Sequence, residues 1–168
     1  TNGFNLSFIR SGGANTGSLS IANTIISGSG AVTVNGSSGT NAVIVNSANS
    51  FSGALSLVAV NYQFTNLQNG GVDSSFGAGT GDVILAGASS FMVMTNTGAG
   101  GSTDRLFRAN TTGSVTIVNN GTGALHFNHN GTYGSLDLTL RGTYTGASNT
   151  FASTITGDSA KVTSLALS

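Results

Sequence analysis

Three segments of this chain share one pattern: Gly28-Ser29-Gly30-Ala31-Val32-Thr33-Val34, Gly79-Thr80-Gly81-Asp82-Val83-Ile84-Leu85 and Gly121-Thr122-Gly123-Ala124-Leu125-His126-Phe127. Each reads glycine, hydroxyl, glycine, small or acidic, apolar, any, apolar. Two apolar residues two apart point to one side of an extended chain, and a glycine-rich corner before them supplies positive φ and a tight bend. A single turn of this kind cannot bury its apolar side, whereas stacked turns bury each other's. The segments start at residues 28, 79 and 121. Those intervals are close to two solenoid turns each if a turn takes roughly 20 to 25 residues. The pattern predicts an all-β, parallel β-solenoid of about seven to eight turns with no helical domain. At about 4.8 Å per turn the rod would be roughly 35 Å long.

The rest of the chain agrees with a strand period of two. Phe4-Leu6-Phe8, Leu19-Ile21, Leu55-Leu57, Val115-Ile117 and Leu136-Leu138-Leu140 alternate apolar with small or polar residues, and no stretch holds a helical period. Such registered alternation, with 38% hydrophobic residues, argues against a disordered chain despite the abundant Gly and Ser. The 26 glycines are scattered and proline is absent, so no linker divides the chain and residues 1–168 read as one domain. Asn119 and Asn120 fall at a corner, where asparagine tolerates left-handed geometry and stacked amides can form a ladder.

Charge narrows the function classes. Five basic and five acidic side chains cancel, together only 6% of the chain, against roughly a quarter in typical soluble domains. Arg10, Arg105, Arg108, Arg141 and Lys161 are spread out and form no phosphate-neutralising patch, which argues against nucleic acid and against anionic lipid. No run of about 18 apolar residues offers a membrane-spanning helix. Cysteine is absent, which removes disulfides and thiolate chemistry. A start at Thr1 and a stop at Ser168, just after Leu165 and Leu167, reads as a cut through a longer polypeptide or a processed product.

Several segments occur in an order that resembles a known family. Ser102-Thr103-Asp104-Arg105-Leu106-Phe107, Gly121 to Phe127, Leu138-Thr139-Leu140-Arg141-Gly142-Thr143-Tyr144-Thr145-Gly146 and Thr163-Ser164-Leu165 resemble successive elements of the autotransporter-associated β-strand repeat. Asn49-Ser50-Phe51-Ser52-Gly53 resembles that family's Asn-Thr-Tyr-Thr-Gly corner, and Ser75 to Gly81 its linker between turns. The resemblance runs over residues 42 to 167. It implies a right-handed parallel β-helix, the passenger of a large protein exported to the surface of a Gram-negative bacterium, with adhesion, display or matrix formation as its work and no shared catalytic site. The family's Gly-x-Gly-x-Trp turn and its β-barrel translocator are not in this sequence.

Candidate chemistry is sparse. On a strand His126 faces outward between Leu125 and Phe127, and His129 falls in an Asn-rich turn; neither has a third metal donor beside it, whereas stable sites need three or four. Gly157-Asp158-Ser159 echoes some serine hydrolases, but a nucleophile needs a base within hydrogen-bond reach. Asp73, Asp82, Asp104, Asp137 and Asp158 are far apart in sequence, so paired-carboxylate chemistry would depend on stacking. Gly98 to Leu106 partly matches a calcium-binding nonapeptide, with Ser102 where a glycine belongs and no second copy. Gly77, Gly79 and Gly81 precede no helix pattern and so form no dinucleotide fingerprint. Glycosylation-type sequences at Asn5, Asn35, Asn110, Asn120 and Asn130 are expected by chance at this composition.

No catalytic, cofactor-binding or metal-binding residue is therefore assigned, and the chain is expected to be a non-catalytic stalk, adhesin or fibre segment outside the cell. Self-association through solenoid ends, with Leu165 to Ser168 running into Thr1 to Leu6 of the next copy, is the expected contact, alongside host or matrix glycans or proteins. Two other classes are a glycan- or ice-binding solenoid, for which Thr111, Thr112, Thr116 and Thr122 are irregularly placed, and a β-helical polysaccharide-degrading enzyme.

Overall fold

A computed structural model describes residues 3–9, 17–36, 42–86, 92–110, 114–134 and 137–155. Among these residues there are fifteen strands and no helix. In chain order they are β1 (Leu6–Ile9), β2 (Leu19–Ser20), β3 (Val32–Asn35), β4 (Ala42–Val45), β5 (Leu55–Val58), β6 (Asn61–Leu67), β7 (Val83–Ala86) and β8 (Met92–Thr103). They continue as β9 (Phe107–Ala109), β10 (Ser114–Asn119), β11 (Leu125–Phe127), β12 (Thr132–Gly134), β13 (Asp137–Gly142), β14 (Thr150–Phe151) and β15 (Thr154–Ile155).

Strand pairing is parallel and skips elements. β1, β3, β5, β7 and β9 form one sheet; β2, β4, β6, β8, β10 and β13 form a second. The far half of β8 carries β11, which in turn carries β14, as a third face. Each circuit thus visits one sheet and then another before returning one rung higher, which is the predicted β-solenoid. The turn count differs from the expectation: about five turns are described where seven to eight were expected. Leu6, Val32, Leu55, Val83 and Phe107 are successive partners, so a turn consumes between 23 and 28 residues.

Alternation sets the core. Leu6, Val32, Leu55, Val83 and Phe107 stack in one inward column and Phe8, Val34, Leu57, Leu85 and Ala109 in the next, while Ser7, Thr33, Ser56, Ile84 and Arg108 stack between them on the outer face. The second sheet contributes Val43, Tyr62, Met94, Ile117 and Leu140. Through the interior runs a chain of ring contacts from Tyr62 and Phe64 to Phe76, Phe107, Phe127, Phe151 and Tyr133, with centroids 4.9–5.7 Å apart. That spacing matches the roughly 4.8 Å between strands. At the first coil the alternation does not enclose everything, for Phe4 is 80% exposed.

Two expectations about the glycine motif are corrected. The motifs at Gly28 and Gly79 do lie two rungs apart on one sheet, leading into β3 and β7, but the motif at Gly121 leads into β11 on another face, where Leu125 pairs with Gly101. The motif therefore marks the corner before an inward-alternating strand rather than a fixed point of the circuit. Nor is positive φ its general rationale: Gly28 has it, whereas Gly79, Gly81, Gly121 and Gly123 do not. Gly121 and Gly123 are needed for close approach instead. A Cβ on Gly123 would lie 1.9 Å from the Ala99 carbonyl oxygen of the coil below, and one on Gly121 would lie 2.1 Å from the Gly98 oxygen.

Candidate functional site

The second sheet holds a buried polar column. Val45 pairs with Phe64, Phe64 with Asn96 and Asn96 with Asn119, so one inward position changes from apolar to amide partway along the rod. Asn96 Nδ2 donates to Asn119 Oδ1 at 2.8 Å, and Asn119 Nδ2 donates to Asn149 Oδ1 at 2.8 Å. The remaining capacity holds corners: Asn96 Oδ1 accepts from Gly98 N, Asn119 Oδ1 from Gly121 N and Asn149 Oδ1 from Leu125 N. Asn119 thus carries the expected ladder. Asn120 does not join it; its Oδ1 accepts from Thr143 N at 3.2 Å on the exposed side.

A second polar device was not foreseen. Arg105 is only 3% exposed, and its Nε and Nη1 donate to the carbonyls of Gly81 and Phe76, both at 2.8 Å. Burial lowers its pKa, while Asp104, Asp82 and Tyr62 oppose that shift. The neighbouring Asp104 Oδ1 accepts from Gly70 N at 2.8 Å. Together the two side chains fasten the connection between β6 and β7. Ser75 in that connection accepts the Tyr62 hydroxyl on its carbonyl, and its own N donates to Asn66 Oδ1. Arg105 lies in the bend between β8 and β9, where Leu106 beside it is buried as well, so strand alternation does not mark it in the sequence.

The candidate reactive residues are dispersed. His126 stands on the outer face between Ser102 and Thr150, with Nδ1 3.1 Å from Thr150 Oγ1. His129 Nδ1 accepts from Gly131 N at 2.9 Å. Ser153 does meet His129, but its hydroxyl donates to the His129 backbone carbonyl at 2.7 Å rather than to the ring. Asp82 forms an ion pair with Arg108 of the next rung. Asp73 is exposed, and Asp137 pairs with Ser114 in the ladder. Among the described residues, no three of His, Asp and Glu come together. Asp158 with its neighbours Gly157 and Ser159, and Thr111, Thr112 and Leu165 to Ser168, lie outside the described residues.

In the calcium-like segment, Asp104 is engaged by Gly70 and the next side chain is the buried Arg105, so the loop serves as a fastening. Gly77, Gly79 and Gly81 lead into strand β7; Gly77 has φ of +75° and lies against the Phe51 ring. Thr116 stands on the outer face between Val93 and Thr139, so that column is not a uniform threonine row. A cavity of about 100 Å³ lies where β10 and β11 meet β13 and β14, lined by Ile117, Leu125, Phe127, Leu140, Tyr144 and Phe151 among others. Asn119 and Asn149, two rungs of the amide ladder, also line it.

Fold and polar interior together define a parallel β-solenoid whose buried amides and guanidinium bind coil to coil. Comparison with family models, curated proteins and solved structures finds no match to the chain.

Proposed function

We propose that the chain is a non-catalytic structural segment of a secreted, autotransporter-like protein on the surface of a Gram-negative bacterium, serving as a rigid stalk, adhesin or extracellular fibre or matrix component. The observation that carries this reading is the use made of its polar side chains. Asn96, Asn119 and Arg105 are buried and, with the more exposed Asn149, hold one coil to the next. Side chains used in this way stiffen a rod, because losing one coil's contacts leaves buried polar groups of its neighbour unsatisfied.

A neutral, hydroxyl-rich exterior suits a spacer that must not adhere to charged surfaces indiscriminately. The first coil exposes Phe4, at 80%, and Ile25, at 67%; Ile9, also 67% exposed, stands on the outer face in line with Ser7. Apolar side chains at a coil edge favour a further coil there, from the same polypeptide or from another copy. Self-association through the ends is accordingly part of the proposal.

Electron microscopy of the purified chain tests the fibre form, which predicts filaments that lengthen with concentration; discrete short particles at every concentration count against it. Protease shaving of intact source cells tests the location. Loss of the protein from intact cells is expected, and protection until lysis would overturn the surface assignment.

A further inference from the structure

Asn-Gly steps are where an asparagine can cyclise onto the following backbone nitrogen, and what the glycine N–H is bonded to decides how readily that nitrogen becomes a nucleophile. The described residues contain four such steps, and in each the glycine N–H has a different kind of acceptor. Gly36 N donates to the Val58 carbonyl at 3.0 Å, within the sheet. Gly70 N donates to Asp104 Oδ1 at 2.8 Å, and Gly121 N to Asn119 Oδ1 at 3.2 Å. Gly131 N donates to His129 Nδ1 at 2.9 Å. Of these acceptors the imidazole and the carboxylate can act as general bases, and the basicity of an imidazole is the better matched to proton transfer near neutral pH.

We propose that His129-Asn130-Gly131 is a self-modifying site at which Asn130 converts to aspartate or isoaspartate. Nδ1 of His129 lies within the 2.6–3.2 Å or so expected of a general base, in the tautomer that carries its proton on Nε2. The ring lies against the glycine: a Cβ on Gly131 would lie 2.7 Å from His129 Cε1 and 2.8 Å from Nδ1. Asn130 is exposed and its side chain makes no hydrogen bond to the described residues. In contrast, Asn120 is held through its Oδ1 by Thr143.

The steps balance without any further reagent than water. The Gly131 N–H proton passes to His129 Nδ1 as the nitrogen bonds to Asn130 Cγ. The Cγ–Nδ2 bond then breaks, and the leaving amide takes the proton back from His129 and departs as ammonia. Water opens the resulting cyclic imide at either carbonyl, giving aspartate or isoaspartate. The isoaspartate product carries an extra main-chain carbon directly before β12, where Tyr133 is fully buried. Ageing at this corner therefore loosens the pairing of β12 with β15.

The test follows Asn130, Asn120 and Asn69 together by peptide mapping of the intact chain incubated at neutral pH, so that two sites serve as internal standards. Asn130 is expected to be lost first and to exceed Asn69 by roughly tenfold or more. In denaturant the three rates should converge. Either Asn69 or Asn120 leading in the native chain would overturn the proposal.

His129→Gln separates a base from a clamp. A glutamine can still accept the glycine N–H but cannot take its proton, so the ratio of Asn130 to Asn69 loss should fall. A clamp role predicts the reverse, since a looser corner cyclises faster; an unchanged or raised ratio therefore rejects the assignment. The native-against-denatured comparison on the unaltered chain decides the matter even where the variant folds poorly.

Discussion

Asn119 accepts a hydrogen bond from Asn96 on one side and donates one to Asn149 on the other, both at 2.8 Å, with 3% of its surface exposed. The same amide also accepts from Gly121 N and donates to the Gly123 carbonyl. All of its capacity is engaged, which is what allows a polar group to stand in an inward column that begins with Val45 and Phe64.

Asn119→Ala should accordingly cost more than an apolar truncation of similar size. It leaves Asn96 Nδ2 only its long 3.4 Å bond to the Gly98 carbonyl and removes the acceptor of the Gly121 N–H, and each buried unsatisfied group costs about 1–3 kcal/mol. A loss of about 3 kcal/mol or more, read from the denaturant midpoint, is the expected result. Asn120→Ala, which removes two exposed hydrogen bonds donated by Thr143, should cost less than about 1 kcal/mol.

Glycine replacements should divide by what lies beneath them. Gly123→Ala would place a methyl 1.9 Å from the Ala99 carbonyl oxygen, so two coils must separate and stability falls sharply. Gly81 has nothing within 4 Å and no positive φ. Gly81→Ala should therefore be neutral, or stabilise by about 0.4–1 kcal/mol through the unfolded chain. Thermal melts of the two variants check the contrast.

Phe107 is a central ring of the interior, 5.1 Å from Phe76 on one side and from Phe127 on the other. Phe107→Ala should cost about 3–5 kcal/mol, because a cavity opens between rungs that cannot close independently. Phe107→Leu should cost less, having kept most of the volume. Chemical denaturation of both variants gives the comparison.

Much of this fold is legible in the sequence because a period of two is a local property. Val32-Val34, Leu55-Leu57 and Val83-Leu85 name their own inward faces, and the structure stacks them in that order. The circuit length is not local. Turns differ in length because the connection between β6 and β7 makes an excursion fastened by Arg105, and nothing in the alternation encodes that. The corner grammar is reused on more than one face, so the segment at Gly121 reads like that at Gly79 while serving another sheet. One signal was present and passed over. Asn149-Thr150-Phe151 repeats Asn49-Ser50-Phe51, and in both the asparagine Oδ1 accepts from a backbone N–H of the preceding coil, Leu125 and Ile26 respectively.

The two fully buried tyrosines make opposite predictions from one kind of burial. Tyr62 donates its hydroxyl to the Ser75 carbonyl, whereas the Tyr133 hydroxyl is buried without a partner among the described residues. Tyr62→Phe leaves a buried carbonyl short of its donor and should cost about 1–2 kcal/mol; Tyr133→Phe removes an unsatisfied group and should be neutral or stabilising by up to about 1 kcal/mol. Burial raises the pKa of both phenols, and for Tyr62 the nearby Arg105 only partly offsets it. A raised folded pKa means that the unfolded chain loses its proton first. The stability these groups contribute is therefore fully present below the unfolded value of about 10 and declines above it, by about 1.4 kcal/mol per pH unit for each tyrosine. Alkaline titration of a Tyr144→Phe background, in which Tyr62 and Tyr133 are the only phenols, should show tyrosinate absorbance rising together with loss of β circular dichroism. Ionisation well before the β signal falls would mean that neither phenol is sealed in the core.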